Sequence, residues 1–348
     1  MHYKQRIESI EYLGHILEDV NSEHWQPCIS KTYQENQWFT PTNTVKALSN
    51  LGNMLSKDLL SQWLNQYNIS DESSNKKIGI IMAGNIPLVG LHDLVSCMIA
   101  GHDAVIKMSR DDKVLLPYLL EQLFNKFPYW KEHITLVDKL TTYDAVIATG
   151  SNNTSRHFQY YFKHVPHLIR KNRHSVAIIK GDETKSDFEL LAEDLFSYFG
   201  LGCRNVSKFY VPEPFDYPTF YDSIESFNDI KNHNKYANNH TYNKAINIMN
   251  LVKIYDNDFL ILYESEQVGS PVAVCHYEFY KNDEDLQSLL QRDAEHIQCV
   301  VKSNHNPFEV TIDELKDRTF LFGEAQCPNP WDYADGVDTL QWLIERNQ

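Results

Sequence analysis

The sequence predicts an α/β protein of two domains with a helical N-terminal segment, and three observations carry that expectation. Its 348 residues suit two domains of roughly 150 residues each. Beyond about Ile78, short continuous apolar runs alternate with stretches of helical period, the pattern of parallel strands covered on both faces. Before that point the apolar residues keep helical spacing only.

Taken in order, Ile7, Ile10, Leu13, Ile16 and Leu17 predict a first helix. A second is expected from about Thr42 to Tyr67, after the cap-like run TPTNT. A polar break at Asp71 to Lys77 ends this segment. Strands are expected at IGIIMA from Ile78, DAVIKMS from Asp103, ITLVD from Ile134 and DAVIATG from Asp144. Helices are expected between them, around Leu91–Ala100, Asp111–Phe127 and Thr154–Phe162. A second α/β segment opens at SVAIIKG from Ser175. It continues through a helix at Ser186–Phe199 and strands KFYVP from Lys208, FLILYES from Phe259, VAVCHYEFY from Val272 and IQCVVKS from Ile297. The stretch from Pro212 to Ala245, rich in Asn, Tyr, Asp and His, reads as exposed helix and loop. The expected division is 1–172, 173–330 and a C-terminal segment 331–348.

Composition narrows the function. With 32 basic and 47 acidic residues the chain carries a net charge of −15, and it has no sustained basic stripe. That argues against a nucleic-acid or anionic-membrane partner, either of which needs a positive footprint. No run reaches the roughly 18 apolar residues of a membrane helix; the best, Ile78 to Ile99, is interrupted by Asn85, Pro87, His92 and Asp93. The N-terminus lacks a signal-like apolar region. The six cysteines are scattered without a CxxC pair and read as reduced thiols, so a cytoplasmic protein is expected.

Three short segments carry candidate chemistry. Cys203 stands in FGLGCRNVS between a helix and a strand, and Gly200 and Gly202 imply a tight turn that exposes the thiol. A small core hydrophobe is the ordinary reading of a free cysteine and is kept for the other five. Arg204 and Lys208 are candidates to support a Cys203 thiolate. In MAGNIPL, Asn85 follows a strand, where an Asn serves either as a turn residue or as a neutral donor to a developing oxyanion. In ATGSNNT, Gly150 and Ser151 link a strand to a helix whose first N–H groups suit a phosphate. The histidines His157, His164, His167 and His174 share no single helical face and read as surface or core residues, so no metal site is expected. The acidic clusters at Asp111–Asp112 and Asp283–Glu284–Asp285 are expected in helix first turns.

In this order the segments MAGNIPL, VIKMSRDD, ATGSNNTSR, KNRHSVAII, FGLGCRNVSKFYV, GSPVAV and FGEAQCPNPWDYADGVDT resemble the aldehyde dehydrogenase superfamily. They are more similar still to its acyl-CoA reductase branch, typified by the fatty-acid reductase of bacterial bioluminescence. The resemblance covers about Ile78 to Thr339. It implies a Rossmann-type cofactor domain and a second α/β catalytic domain. It places Cys203 on the family's nucleophile and Asn85 on the amide of the oxyanion hole. Lys107 falls on the ribose-binding lysine, with Ser109 and Arg110 beside it, and Gly150 and Ser151 fall on the turn beside the pyrophosphate. Glu266 falls near a second ribose-binding carboxylate, in ESEQVGSP, where Gln267 competes for the role.

Two departures from the family pattern shape the expectation. Oxidising members carry a glutamate ahead of the cysteine that activates water; here Ile169, Arg170 and Lys171 stand near that position and no carboxylate does. An acyl-enzyme without that base resists hydrolysis, as reduction of a thioester requires. NAD-using relatives often carry an acid three residues after the lysine. Arg110 stands there and suits a 2′-phosphate, so NADPH is expected over NADH, with a solvated helix-start residue as the alternative. The resulting expectation is NADPH-dependent reduction of an acyl-CoA or acyl-carrier thioester to an aldehyde. The alternatives are a reductase of an acyl phosphate or acyl-adenylate-derived group, and a non-catalytic scaffold of an acyltransferase or ligase. A homo-oligomer and an acyltransferase or ligase partner are expected as well.

Overall fold

The computed structural model describes residues 1–74 and 76–347; Asn75, within the polar break, and Gln348 lie outside the described residues. The chain divides into two compact units, residues 1–172 with 328–348, and residues 173–327.

The first unit is built on five parallel strands: β1 (Lys77–Ile81), β2 (Asp103–Lys107), β3 (Ile134–Leu136), β4 (Ala145–Thr149) and β5 (His167–Arg170), in the order β3-β2-β1-β4-β5. The order reverses between β1 and β4, which defines a topological switch point of the dinucleotide-binding kind. The helix Leu91–Ala100 between β1 and β2 is buried along almost its whole length and stops at Gly101, whose φ of 82° is left-handed. Strand β5 was not expected. HLIR is short, polar at both ends and only partly buried, so it lacks the apolar run that marks its neighbours.

The helical segment differs from expectation in one respect. Tyr3–Glu18 buries Ile10, Leu13 and Leu17 as the spacing implies. The single helix expected from Thr42 to Tyr67 is two, Pro41–Met54 and Lys57–Leu64, because Ser56 turns extended and starts the second one. Apolar period carries across that break, which hides it in the sequence. A further helix, Gln26–Glu35, precedes both. The C-terminal residues pack within this unit. Trp63 donates to the Tyr333 hydroxyl at 2.6 Å, Tyr67 to Asp338 at 2.8 Å, and Thr339–Ile344 lies on Leu91–Ala100.

The second unit holds β6 (His174–Ile178), β7 (Val206–Pro212), β8 (Tyr255–Asp256), β9 (Ile261–Glu264), β10 (Val274–Tyr280), β11 (Ile297–Lys302) and β12 (Thr319–Leu321), ordered β12-β11-β6-β7-β10-β9-β8. All neighbours are parallel except β8, which runs antiparallel on β9. Helix Lys185–Phe196 opens with a reciprocal cap between Thr184 and Asp187. The stretch expected to be exposed, Pro212 to Ala245, is indeed helical in part, yet it buries Phe215, Phe220, Ile224 and Tyr236. Its core contribution comes from aromatic rings, Phe220 meeting Phe188 and Phe209 edge-on, so counting aliphatics understates it. Among the described residues no helix is long and apolar enough to cross a membrane.

Candidate active site

In the first unit the candidate cofactor residues gather at the carboxyl ends of β1, β2 and β4, on both sides of the switch point where open α/β sheets bind nucleotides. The two turns after β1 and β2 interlock. Met82 N–H donates to the Lys107 carbonyl at 3.1 Å, and Leu88 N–H donates to the Asp112 carboxylate at 2.8 Å. Gly84 lies so close to Ser109 that a Cβ would come within 2.5 Å of its hydroxyl oxygen, so no larger residue fits there. Asn85 projects from this loop as an exposed residue, and Leu88 behind it is held at a left-handed φ of 51°. Lys107 is half-buried at the end of β2, with Ser109 half-buried and Arg110 exposed in the turn that follows. Beyond β4, Gly150 N–H is tied to the Arg170 carbonyl, and Ser151 caps the helix Asn152–Phe162, its hydroxyl accepting from Thr154 N–H at 3.3 Å. A helix N-terminus able to receive a phosphate, and a lysine and a hydroxyl able to reach a ribose, are groups of the kind a nicotinamide dinucleotide needs.

Asp111–Asp112 is a correction. The helix there begins at Leu115, not at Asp111, and Asp112 is a buried carboxyl of the turn rather than a helix-start acid. Burial pushes it up to about 6, although the Leu88 and Leu115 amides pull the other way.

In the second unit Cys203 sits on a tight turn ahead of β7 and is partly exposed. Tyr198, Phe199 and Gly200 take φ values of 53°, 59° and 75°, three left-handed residues in a row, two of which bear side chains that resist the conformation. One buried side chain holds the turn. Asn205 accepts from Gly202 N–H at 2.8 Å and donates to the carbonyls of Asp194 at 2.9 Å and Ser197 at 2.8 Å. Ser175 of β6 donates to the Cys203 carbonyl at 3.0 Å. Arg204 lies over the Phe320 ring. Four other cysteines, 28, 97, 275 and 299, are buried as expected; Cys327 is exposed, because it stands in the turn after Glu324 rather than in an element.

Lys208 is a second correction. It is fully buried, and its ammonium bonds Glu278, Asp293 at 3.2 Å and the Glu266 carbonyl at 2.9 Å, so it belongs to an internal charge cluster completed by Arg292 and Tyr210 rather than to a Cys203 thiolate. Glu266 and Gln267 are both exposed on the loop after β9.

Arg170, which stands near the sequence position expected of a water-activating base, is only 6% exposed. It grips both oxygens of Asp93 at 2.7 and 2.6 Å and donates to Thr339 at 2.7 Å. This segment is committed to a buried ion pair and offers no general base. Asp93 was legible only as the one acid in an otherwise apolar helix. Asn205 carries no signal of its own beyond its place two residues after the cysteine.

The fold places the chain beside solved aldehyde dehydrogenases. It is similar to an NAD-dependent benzaldehyde dehydrogenase from Corynebacterium glutamicum, with a TM-score of 0.70 at 11% identity over 99% of this chain and 84% of that one. Aldehyde dehydrogenase 21 from Physcomitrella patens gives 0.68 at 10% identity over 99% and 84%. A Mycobacterium tuberculosis aldehyde dehydrogenase complexed with NAD+ gives 0.65 at 13% identity over 88% and 74%. No family model matches the sequence, and no curated relative matches it. The protein therefore has an aldehyde-dehydrogenase fold, with a Rossmann-type parallel sheet and a second α/β sheet.

Proposed function

We propose that the protein is an oxidoreductase of aldehyde-level carbon that reduces an acyl thioester, CoA- or carrier-bound, to the aldehyde with NADPH. The single observation that carries the reductive direction is the Arg170–Asp93–Thr339 lock, which commits to a buried ion pair the stretch of sequence where the resemblance would put a water-activating base. The partly exposed Cys203 on its strained, pinned turn supports the nucleophile's role.

In this reading the Cys203 thiolate attacks the thioester carbonyl, forming a carbon–sulfur bond. The Asn85 amide and the Cys203 N–H donate to the oxyanion. Collapse of the adduct breaks the old carbon–sulfur bond and expels the carrier thiolate, leaving an acyl-cysteine. Lys107, Ser109, Gly150 and Ser151 would hold the dinucleotide, which when bound would supply the hydride. With the segment around Arg170 committed to its ion pair, the acyl-cysteine would persist until it is reduced, and the resulting thiohemiacetal would release aldehyde and regenerate the thiolate. The exposed Arg110 supports a 2′-phosphate on the ribose. A panel of acyl-CoAs assayed by NADPH oxidation, and repeated with NADH, tests substrate class and cofactor together. Phosphate release from acyl phosphates with no turnover of thioesters would replace this reading with its neighbour on the same fold.

A further inference from the structure

A cavity of about 530 Å³ opens in the second unit beyond the carboxyl ends of β7 and β9. Cys203 stands before the amino end of β7, so the seven residues of that strand set the two about 20 Å apart. The cavity wall is aromatic. Tyr217 and Tyr255 stack with ring centres 3.7 Å apart and planes 11° from parallel, and Tyr277 meets Tyr217 edge-on at 5.4 Å. The face of such a ring is negative and attracts a cation. The chain supplies one itself, for the Lys253 ammonium lies 5.1 Å from the centre of the Tyr255 ring. Its hydrogen bond to Tyr255, and behind that the charge of Glu264, raise its pKa and favour the charged form. Glu213 and Glu264 line the same cavity, and both are exposed.

Lys253 is exposed as well, so its ammonium can leave the ring for water at little cost. What remains is a flat aromatic face between two carboxylates, in a space far larger than one ammonium fills. The net charge of −15 raises the local concentration of cations around such a site.

We infer that this cavity binds a guanidinium group, of a free guanidine or of an arginine side chain, which replaces the Lys253 ammonium on Tyr255. A guanidinium is planar, so it lies flat on the outer face of the tyrosine stack. Its fork of N–H donors can meanwhile reach the Glu213 and Glu264 carboxylates. An ammonium offers neither the flat face nor the fork. The site does not depend on the reaction proposed for Cys203, and its test needs no turnover.

The experiment titrates the full chain by calorimetry with three probes. They are methylguanidine, an acetylated and amidated Gly-Arg-Gly peptide, and the same peptide with citrulline, the uncharged isostere of arginine. Binding of methylguanidine supports the site with a free guanidine as sufficient ligand. Binding of the arginine peptide alone supports it with a polypeptide side chain as the source. The citrulline peptide should bind at least about tenfold more weakly than the arginine peptide. Glu264→Gln should weaken the charged ligand roughly fivefold, and Tyr255→Leu roughly tenfold. Lys253→Ala removes the competing cation and should tighten binding by about threefold. If Tyr255→Leu disturbs the fold by circular dichroism, the variants of the exposed Glu264 and Lys253 decide. Absence of heat from both charged probes up to about 10 mM overturns the inference. So does a citrulline peptide that binds as well as its arginine parent, or a Lys253→Ala variant that binds more weakly, the mark of an anion site.

Discussion

Asn205→Ala is the perturbation that most directly probes how the fold presents its cysteine. The side chain is 2% exposed and makes three well-formed bonds to the backbone: from Gly202 N–H at 2.8 Å, and to the Asp194 and Ser197 carbonyls at 2.9 and 2.8 Å. At a net contribution near 1 kcal/mol for each, their removal should cost the second unit about 3 kcal/mol. The cost should persist, because Asn205 ties the residues on both sides of the left-handed run from Tyr198 to Gly200 to one buried amide. Asn205→Asp should be no better. It keeps an acceptor for Gly202 but sets a carboxylate against two carbonyls. All six tryptophans lie in the first unit, so indole fluorescence does not report this loss. Pulsed alkylation of the buried Cys275 and Cys299 during urea unfolding does. The same substitution should slow acylation of Cys203 by about a hundredfold, the usual effect of displacing a reacting atom by an ångström. A stability change under about 0.5 kcal/mol together with unimpaired acylation would refute the assignment of Asn205 as the turn's anchor.

Further outcomes follow from the same structure. Arg110→Ala should raise the KM for NADPH by roughly tenfold or more and leave that for NADH unchanged, as loss of a charge-assisted bond to a 2′-phosphate requires; equal effects on both cofactors would make Arg110 a solvated turn residue. Arg170→Leu strands the buried Asp93 carboxylate and should destabilise the first unit by about 3–5 kcal/mol in fluorescence-monitored urea unfolding, whereas the Asp93→Leu, Arg170→Leu double variant should recover much of that. His276, depressed to about 4 from 6.5, stays neutral in the folded chain while the unfolded chain takes up a proton. Its contribution is complete above pH 6.5 and falls by about 3 kcal/mol as the pH drops through 4, a slope His276→Asn should lack in circular dichroism. Asp112 works in the opposite sense. Raised to about 6 from 3.8, it stabilises the folded form fully below pH 3.8, and about 3 kcal/mol of that is lost as the pH rises through 6. Asp112→Asn should flatten that trend in tryptophan fluorescence.

Much of the architecture was legible in the sequence because both sheets are parallel and covered. The continuous runs at Ile78, Asp103, Asp144, Ser175 and Ile297 each became a strand, and Leu91–Ala100 became a helix with the expected bounds. Elements without such runs escaped: β5 is polar and half-exposed, β8 has only two residues, and the break at Ser56 lies inside an unbroken helical period. In the candidate site, the positions of Cys203, Asn85, Gly150 and Ser151 follow from strand–turn–helix grammar, which is local. The residues that hold those turns are not local. Asp112 reaches Leu88, Arg170 reaches Asp93 and Thr339, and Lys208 reaches Glu266, pairings set by tertiary packing that no spacing encodes. Lys208 shows the difference most plainly. Five residues from the cysteine in sequence, it points into a buried cluster with Glu278 and Asp293 because strand alternation and a bulge turn it there.

In the proposed reaction Cys203 takes the acyl group from a thioester before any cofactor acts. Mixing the protein with an acyl-CoA in the absence of nucleotide tests it directly. The expected result is a burst of about one free thiol per chain, an acyl adduct on the peptide bearing Cys203, and aldehyde only on later addition of NADPH, with all three abolished in Cys203→Ala. Turnover that survives Cys203→Ala, or aldehyde oxidation to acid with no thiol released from any acyl-CoA, would contradict it.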